Sequence, residues 1–141
     1  MPETQLDKSG IESVLRRAQL VRVAFMAETP YVITLGCTYL DGCLVGITSP
    51  GRKSELAARD RRVGFQVDTS VDDGVYAWDS VHGEGTFEIS QPEERVLSAL
   101  RAAFPDPPQW FIDDRAAHFQ SGTARTYRIQ PTTLYGVHSG A

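Results

Sequence analysis

Asp41-Gly42 stands between two runs that read as β-strands, Tyr31 to Leu40 (YVITLGCTYL) and Cys43 to Ser49 (CLVGITS). An Asp-Gly pair between β-branched and aromatic runs marks a two-residue hairpin turn, whose central residues take positive φ. The pairing register follows: Leu40 opposite Cys43, Tyr39 opposite Leu44, and Cys37 opposite Gly46. Side chains alternate faces with period two, so Cys37 and Cys43 point to opposite faces and do not form a disulfide. A reducing cytoplasm is the compartment this reading implies, in keeping with the lack of a signal peptide at the start of the sequence.

The remaining chain is punctuated in the same style. Ser9 with Glu12 three residues on reads as a capping box opening a helix that runs to near Gln19. Leu20–Ala27 reads as a strand, Lys53–Arg59 as a short helix after the Pro50-Gly51 break, and Val63–Asp68 as a strand. Thr69–Asp73 is a polar loop, and Ala77–Ser90 a long strand bent at Gly83 and Gly85. Gln91-Pro92-Glu93-Glu94 opens a helix to about Ala103, stopped by Pro105, Pro107 and Pro108. Trp110–Phe119 holds another short helix, and Thr123–Val137 one strand or two divided around Pro131. Six strands with short hairpins and few helices predict a small, mainly β, antiparallel barrel with peripheral short helices, formed as a single domain over residues 1–141.

Charge narrows the partners. Lys and Arg number 14 against 18 Asp and Glu, a net charge of −4. A mildly acidic chain lacks the basic surface of a general nucleic-acid binder, and no run of roughly 18 apolar residues is present to span a membrane. The basic residues nevertheless cluster: Arg52, Lys53, Arg59, Arg61 and Arg62 fall within eleven positions. Arg52 and Lys53 sit where a glycine-containing turn opens a helix, and Ser49 and Ser54 add hydroxyls nearby. Unpaired N–H groups, a positive dipole end, a guanidinium fork and a mobile ammonium together suit a phosphate monoester. A solvated helix with ordinary surface charges is the alternative reading of the same local pattern.

The succession of hairpin, Thr48-Ser49-x-Gly51-Arg52-Lys53, short helix with Leu56, and a strand after Arg61-Arg62-Val63 resembles the pyridoxamine 5′-phosphate oxidase-like superfamily of FMN-binding split β-barrels. Within it, the small nitroimidazole-resistance-like flavoproteins are the nearest resemblance. Trp78-Asp79-Ser80-Val81 followed by Gly85, and Tyr127-Arg128-Ile129-x-Pro131, resemble the family's later strands. The resemblance implies a six-stranded antiparallel split barrel that binds FMN and acts as a flavin-dependent oxidoreductase on a small organic substrate. Carried over by position, Arg52 and Lys53 hold the FMN phosphate, and Thr48 and Ser49 lie beside the ribityl chain or ring. Backbone groups of Thr34, Leu35 and Gly36 face the flavin edge, Ser80 stands near the ring, and Trp78 adjoins it. It also implies a homodimer with the flavin at the subunit interface, so that some contacts come from the second subunit.

One departure matters. The Arg-x-His substrate motif of the vitamin oxidases is missing; the corresponding region reads Ser121-Gly122-Thr123-Ala124-Arg125. Pyridoxal phosphate synthesis is therefore not expected. Two alternatives stay open: a reductase using the deazaflavin F420 on the same barrel, and a non-catalytic flavin or haem carrier or sensor, for which His82 or His118 would be the haem ligand. The three histidines show no zinc-binding spacing, so no metal site is expected. Trp110, beside a proline cluster, is a candidate for the mouth of a pocket.

Overall fold

The hairpin at Asp41-Gly42 takes the conformation its residues demand: in the computed structural model, which describes residues 3–140, their φ values are 52° and 79°. It joins β4 (Thr38–Leu40) to β5 (Cys43–Thr48), with Leu40 opposite Cys43 and Tyr39 opposite Leu44. The ladder stops at Thr38 and Val45, one residue short of the expected Cys37–Gly46 pair. The reason is a change of partner. Tyr31–Leu40 is two strands, β3 (Tyr31–Gly36) and β4, and β3 pairs with β2 (Leu20–Phe25) instead. Cys37, the joint between them, turns its N–H to the carbonyl of Gln19 at 2.9 Å.

The other strands are β1 (Glu3–Gln5), β6 (Arg62–Asp68), β7 (Trp78–Ser90) and β8 (Arg125–Ser139). All pair antiparallel in one sheet of eight strands, in the order β3-β2-β6-β7-β8-β5-β4, with β1 added to β8. The expected count of six rises to eight through β1, whose three residues carry no strand signal of their own, and through the break at Cys37. Because β3 and β4 end the order yet follow each other in the chain, the sheet curls round on itself as a split barrel.

Alternation along each strand sends one set of side chains inward. Val21, Val23 and Phe25 of β2 meet Phe65 and Val67 of β6, Val81 and Phe87 of β7, and Tyr127 and Ile129 of β8. Cys37 belongs to this interior, whereas Cys43 packs outside it with Val45 and Val96, and both are free thiols. The two faces expected from the hairpin are thus the two faces observed.

Helix α1 (Lys8–Arg17) closes one end of the barrel with Val14 and Leu15. Its N-cap is Asp7, whose carboxylate accepts from the N–H of Gly10 at 2.8 Å; Ser9, the expected cap, lies within the first turn. Short helices α2 (Arg52–Arg59) and α3 (Ser70–Asp73) follow, the latter where a polar loop was expected. Asp68 nucleates α3 by accepting from both the N–H and the hydroxyl of Ser70. Helices α4 (Glu94–Ala103) and α5 (Gln109–Ser121) flank the proline cluster.

β7 and β8 run side by side from Trp78–Ser139 to Ser90–Thr126. Their register slips between Glu84 and Gly85, opposite Thr133 and Pro131, which leaves Thr132 as the extra residue of a bulge. A Cβ on Gly83 would lie 2.0 Å from the Thr133 carbonyl oxygen, and one on Gly85 2.5 Å from that of Gln130. These glycines let β8 come close enough to bend, and Pro131 sits at the bulge, where a missing N–H is tolerated. No helix among the described residues is long and apolar enough to cross a membrane.

Candidate functional site

Pro50 and Gly51 end β5 and start α2, with the N–H of Gly51 donating to the hydroxyl of Ser54 at 3.2 Å. Arg52 and Lys53 are the first two helical residues, whose N–H groups have no partner within the helix. The Arg52 guanidinium lies over the ring of Tyr31, 5.3 Å from its centroid, which ties the start of α2 to the start of β3. Lys53 is half-buried, and burial pushes its ammonium below the ordinary lysine range. The rest of the basic cluster divides. Arg61 pairs with Glu88 and Arg62 with Asp60, whereas Arg52, Lys53 and Arg59 have no carboxylate partner among the described residues. Two uncompensated cations therefore stand at one helix start, a cost that an anionic ligand would offset.

Next to them, Thr48 is buried and Ser49 half-buried at the end of β5. Across the split lies β3, with Thr34 and Gly36 exposed and Leu35 turned partly inward. β3 and β5 approach closely where Gly46 meets Gly36: a Cβ on Gly46 would lie 2.4 Å from the Gly36 carbonyl oxygen. The same oxygen accepts from the buried phenol of Tyr127 at 2.5 Å. Six of the expected residues, Thr34, Leu35, Gly36, Thr48, Arg52 and Lys53, thus lie on the two strands that border the split and on the helix start beside it, with Ser49 in the turn between β5 and α2.

Ser80 and Trp78 are elsewhere. They begin β7, with Ser80 between Asp68 and Val137, and β7 is three strands from β3 in the sheet. Within one chain the structure does not bring them to the split.

Beside Gly36 and Ile47 the split opens into a cavity of about 890 Å³, walled on its far side by α4, the proline loop and α5. Leu97, Leu100, Phe104, Phe111 and Phe119 give it an apolar lining. The helical spacing of Leu97 and Leu100 is visible in the sequence, but the part α5 plays in lining the cavity is not. Trp110 faces away at 70% exposure, edge-on to Phe111, so it is Phe111 that lines the cavity.

The histidines are dispersed. His82 stacks on Tyr135 on the outer sheet face, His118 has Nδ1 2.8 Å from the Thr123 hydroxyl, and His138 has Nδ1 2.5 Å from Asp79. No cluster of three or more metal-ligating side chains occurs among the described residues. Arg125 donates to the carbonyls of Gly122 and Ala124 and Arg128 pairs with Glu93, so both C-terminal cations are already engaged.

Residues 7–138 match the profile of a protein family described as pyridoxamine 5′-phosphate oxidase. None of the curated proteins matches the sequence. Among solved structures, an FAD-binding protein from Mesorhizobium loti superposes with a TM-score of 0.76 at 23% identity, over 99% of this chain and 100% of that one. An FAD-binding protein from Mycobacterium smegmatis gives 0.67 at 18% identity, over 98% of both chains. A candidate 5-nitroimidazole antibiotic resistance protein from Bacteroides thetaiotaomicron gives 0.71 at 18% identity, over 96% of this chain and 87% of that one. At such identities these likenesses concern the fold.

Proposed function

The chain belongs to the pyridoxamine 5′-phosphate oxidase family, and from that premise we propose that it binds FMN along the β3–β5 split and is a flavin-dependent oxidoreductase for a small organic substrate. The observation that carries this reading is the pair of cations, Arg52 and Lys53, which have no carboxylate partner among the described residues and stand at a helix start just after the polar end of β5. Arg52 and Lys53 would bind the phosphate, Thr48 and Ser49 would offer hydroxyls to the ribityl chain, and the backbone of Thr34–Gly36 would border the ring. A bound flavin supplies hydride or electron transfer, which suits a site with no side chain arranged as a general acid or base. A substrate would sit in the apolar cavity beside Gly36 and Ile47.

A two-fold homodimer is part of the proposal. The outer face of the sheet carries Val32 and Tyr135, 61% and 59% exposed, with Leu20 between their strands. An isologous contact over this face would bury them. Ser80 and Trp78 would then serve the flavin of the partner subunit, which accounts for their distance from the split in their own chain.

The test is the visible absorption spectrum of the protein purified without added cofactor, repeated after incubation with FMN, FAD, F420 or haemin and desalting. Retained FMN bands support the reading, and preferential retention of FAD keeps the site but extends it past the phosphate at the exposed Arg52. A retained deazaflavin or Soret band replaces the flavin assignment. A colourless protein under all four additions removes it.

A further inference from the structure

The cavity beside the split contains one cation that no carboxylate answers among the described residues. Arg115 lines it from the middle of α5, on the same helical stripe as Phe111 and Phe119. Its guanidinium carbon lies 4.9 Å from the centroid of the Phe111 ring, one turn earlier. Its Nε is buried and has no hydrogen-bond partner, and no carboxylate forms an ion pair with it among the described residues. The other charged groups at the cavity are differently placed: Arg101 is neutralised by Glu94, and Asp106 in the proline loop makes no ion pair with Arg115.

A buried, unpaired donor costs free energy, and a guanidinium is an unusual group to leave against an aromatic wall without a counter-charge. The helix that carries it is also unusual. α5 has no buried residue, although Phe111, Ile112 and Phe119 all face the cavity, so its apolar stripe stands off the barrel instead of packing against it. The space left, about 890 Å³, is within the range that small-molecule sites occupy. Apolar walls, an aromatic ring and a single fork-shaped cation define the complementary molecule.

We propose that Arg115 is the anion-binding residue of the substrate pocket and that the substrate is a planar, apolar molecule carrying a carboxylate. The guanidinium receives the carboxylate in two parallel hydrogen bonds through its terminal nitrogens, while the ring system lies between Phe111 and the barrel-side wall of Leu20 and Ile47. This deepens the flavin reading above and rests on it for the word substrate; the anion site itself stands on Arg115 and the cavity.

The experiment compares calorimetric binding of 2-naphthoate and its neutral isostere 2-naphthamide to the protein as purified and after FMN loading. The expected result is a preference for the carboxylate of about tenfold or more, the size of a charge-assisted hydrogen bond lost. Arg115→Met should bring the naphthoate affinity down to that of the amide and leave the amide unchanged. Arg115→Lys should keep part of the preference, because the charge remains and the fork is lost. Ala103→Trp, which fills the cavity from the exposed end of α4, should weaken both probes alike. Equal affinities in the parent protein, or a preference that survives Arg115→Met, overturns the proposal. So does loss of FMN retention in Arg115→Met with carboxylate preference intact, which makes Arg115 a flavin contact. An Arg115-dependent preference in a protein that retains no flavin keeps the anion site and removes the flavin reading.

Discussion

The phenol of Tyr127 donates to the carbonyl oxygen of Gly36 at 2.5 Å, joining the inside of β8 to the last residue of β3. Tyr127 is fully buried, with its ring stacked on Phe87 at 5.2 Å, and its phenol meets the same Gly36 carbonyl oxygen that a Cβ on Gly46 would approach to 2.4 Å. This hydrogen bond therefore helps hold Gly36 at its close approach to Gly46. Tyr127→Phe keeps the stacked ring and removes the donor. It should cost about 1–2 kcal/mol in urea unfolding and lower flavin retention through a looser Gly36. An unchanged midpoint would show that the carbonyl is satisfied without the phenol.

Arg52→Ala with Lys53→Ala should weaken FMN far more than riboflavin, since riboflavin has no phosphate to lose. Each charge-assisted contact should account for about 1.5–3 kcal/mol, or roughly tenfold or more in affinity. Fluorescence titration of both flavins checks this. Equal losses for the two would place the phosphate elsewhere.

Lys53 also predicts a trade between stability and binding. Burial lowers its pKa, so its charge is carried at a cost in the flavin-free protein. Lys53→Met should raise the Tm of flavin-free protein modestly while it reduces FMN retention. A lowered Tm would mean that the ammonium has a stabilising partner.

Alkaline stability should depend on Cys37. Burial pushes its thiol from an ordinary value of 9.0 to about 12. The folded state keeps this proton after the unfolded chain has begun to release it. The associated stability is whole below pH 9 and declines as pH rises toward 12. Cys37→Ala should reduce the slope of unfolding free energy against pH in this window by up to one proton, about 1.4 kcal/mol per pH unit. Burial likewise raises Tyr127, so some alkaline loss should persist in the variant. Identical slopes for the two proteins would falsify the assignment to Cys37.

Asp7→Ala should destabilise the protein by about 1 kcal/mol and Ser9→Ala by only a few tenths, because Asp7 alone caps α1. Chemical denaturation of the two variants side by side separates them.

Local chemistry made much of this legible. The Asp41-Gly42 turn specified its register and the opposite faces of the two thiols, and Gly83 and Gly85 announced the bend of β7. Arg52 and Lys53 declared themselves by their place after a helix-starting turn. What escaped was decided by distant partners. Nothing in YVITLGCTYL marks the switch at Cys37, since alternation is continuous through it and only the offer of Gln19 on one side and Val45 on the other divides the run. β1 is too short for periodicity to show. Ser9 and Asp7 are both good caps, and the geometry of one turn chose between them. Arg115 reads as one more charge on a polar helix, and acquires meaning only in the fold, where it lines the cavity beside the split.

The double pairing of Tyr31–Leu40 has a consequence for synthesis on the ribosome. β5 can pair with β4 as soon as the hairpin emerges, but its other edge waits for β8, as do the far edge of β7 and the whole of β1. Until residues 125–139 leave the exit tunnel, the nascent chain carries open strand edges that include the apolar run of β5, and these are templates for pairing with other chains. β8 is the strand that closes the open edges of β5 and β7 and gives β1 its partner.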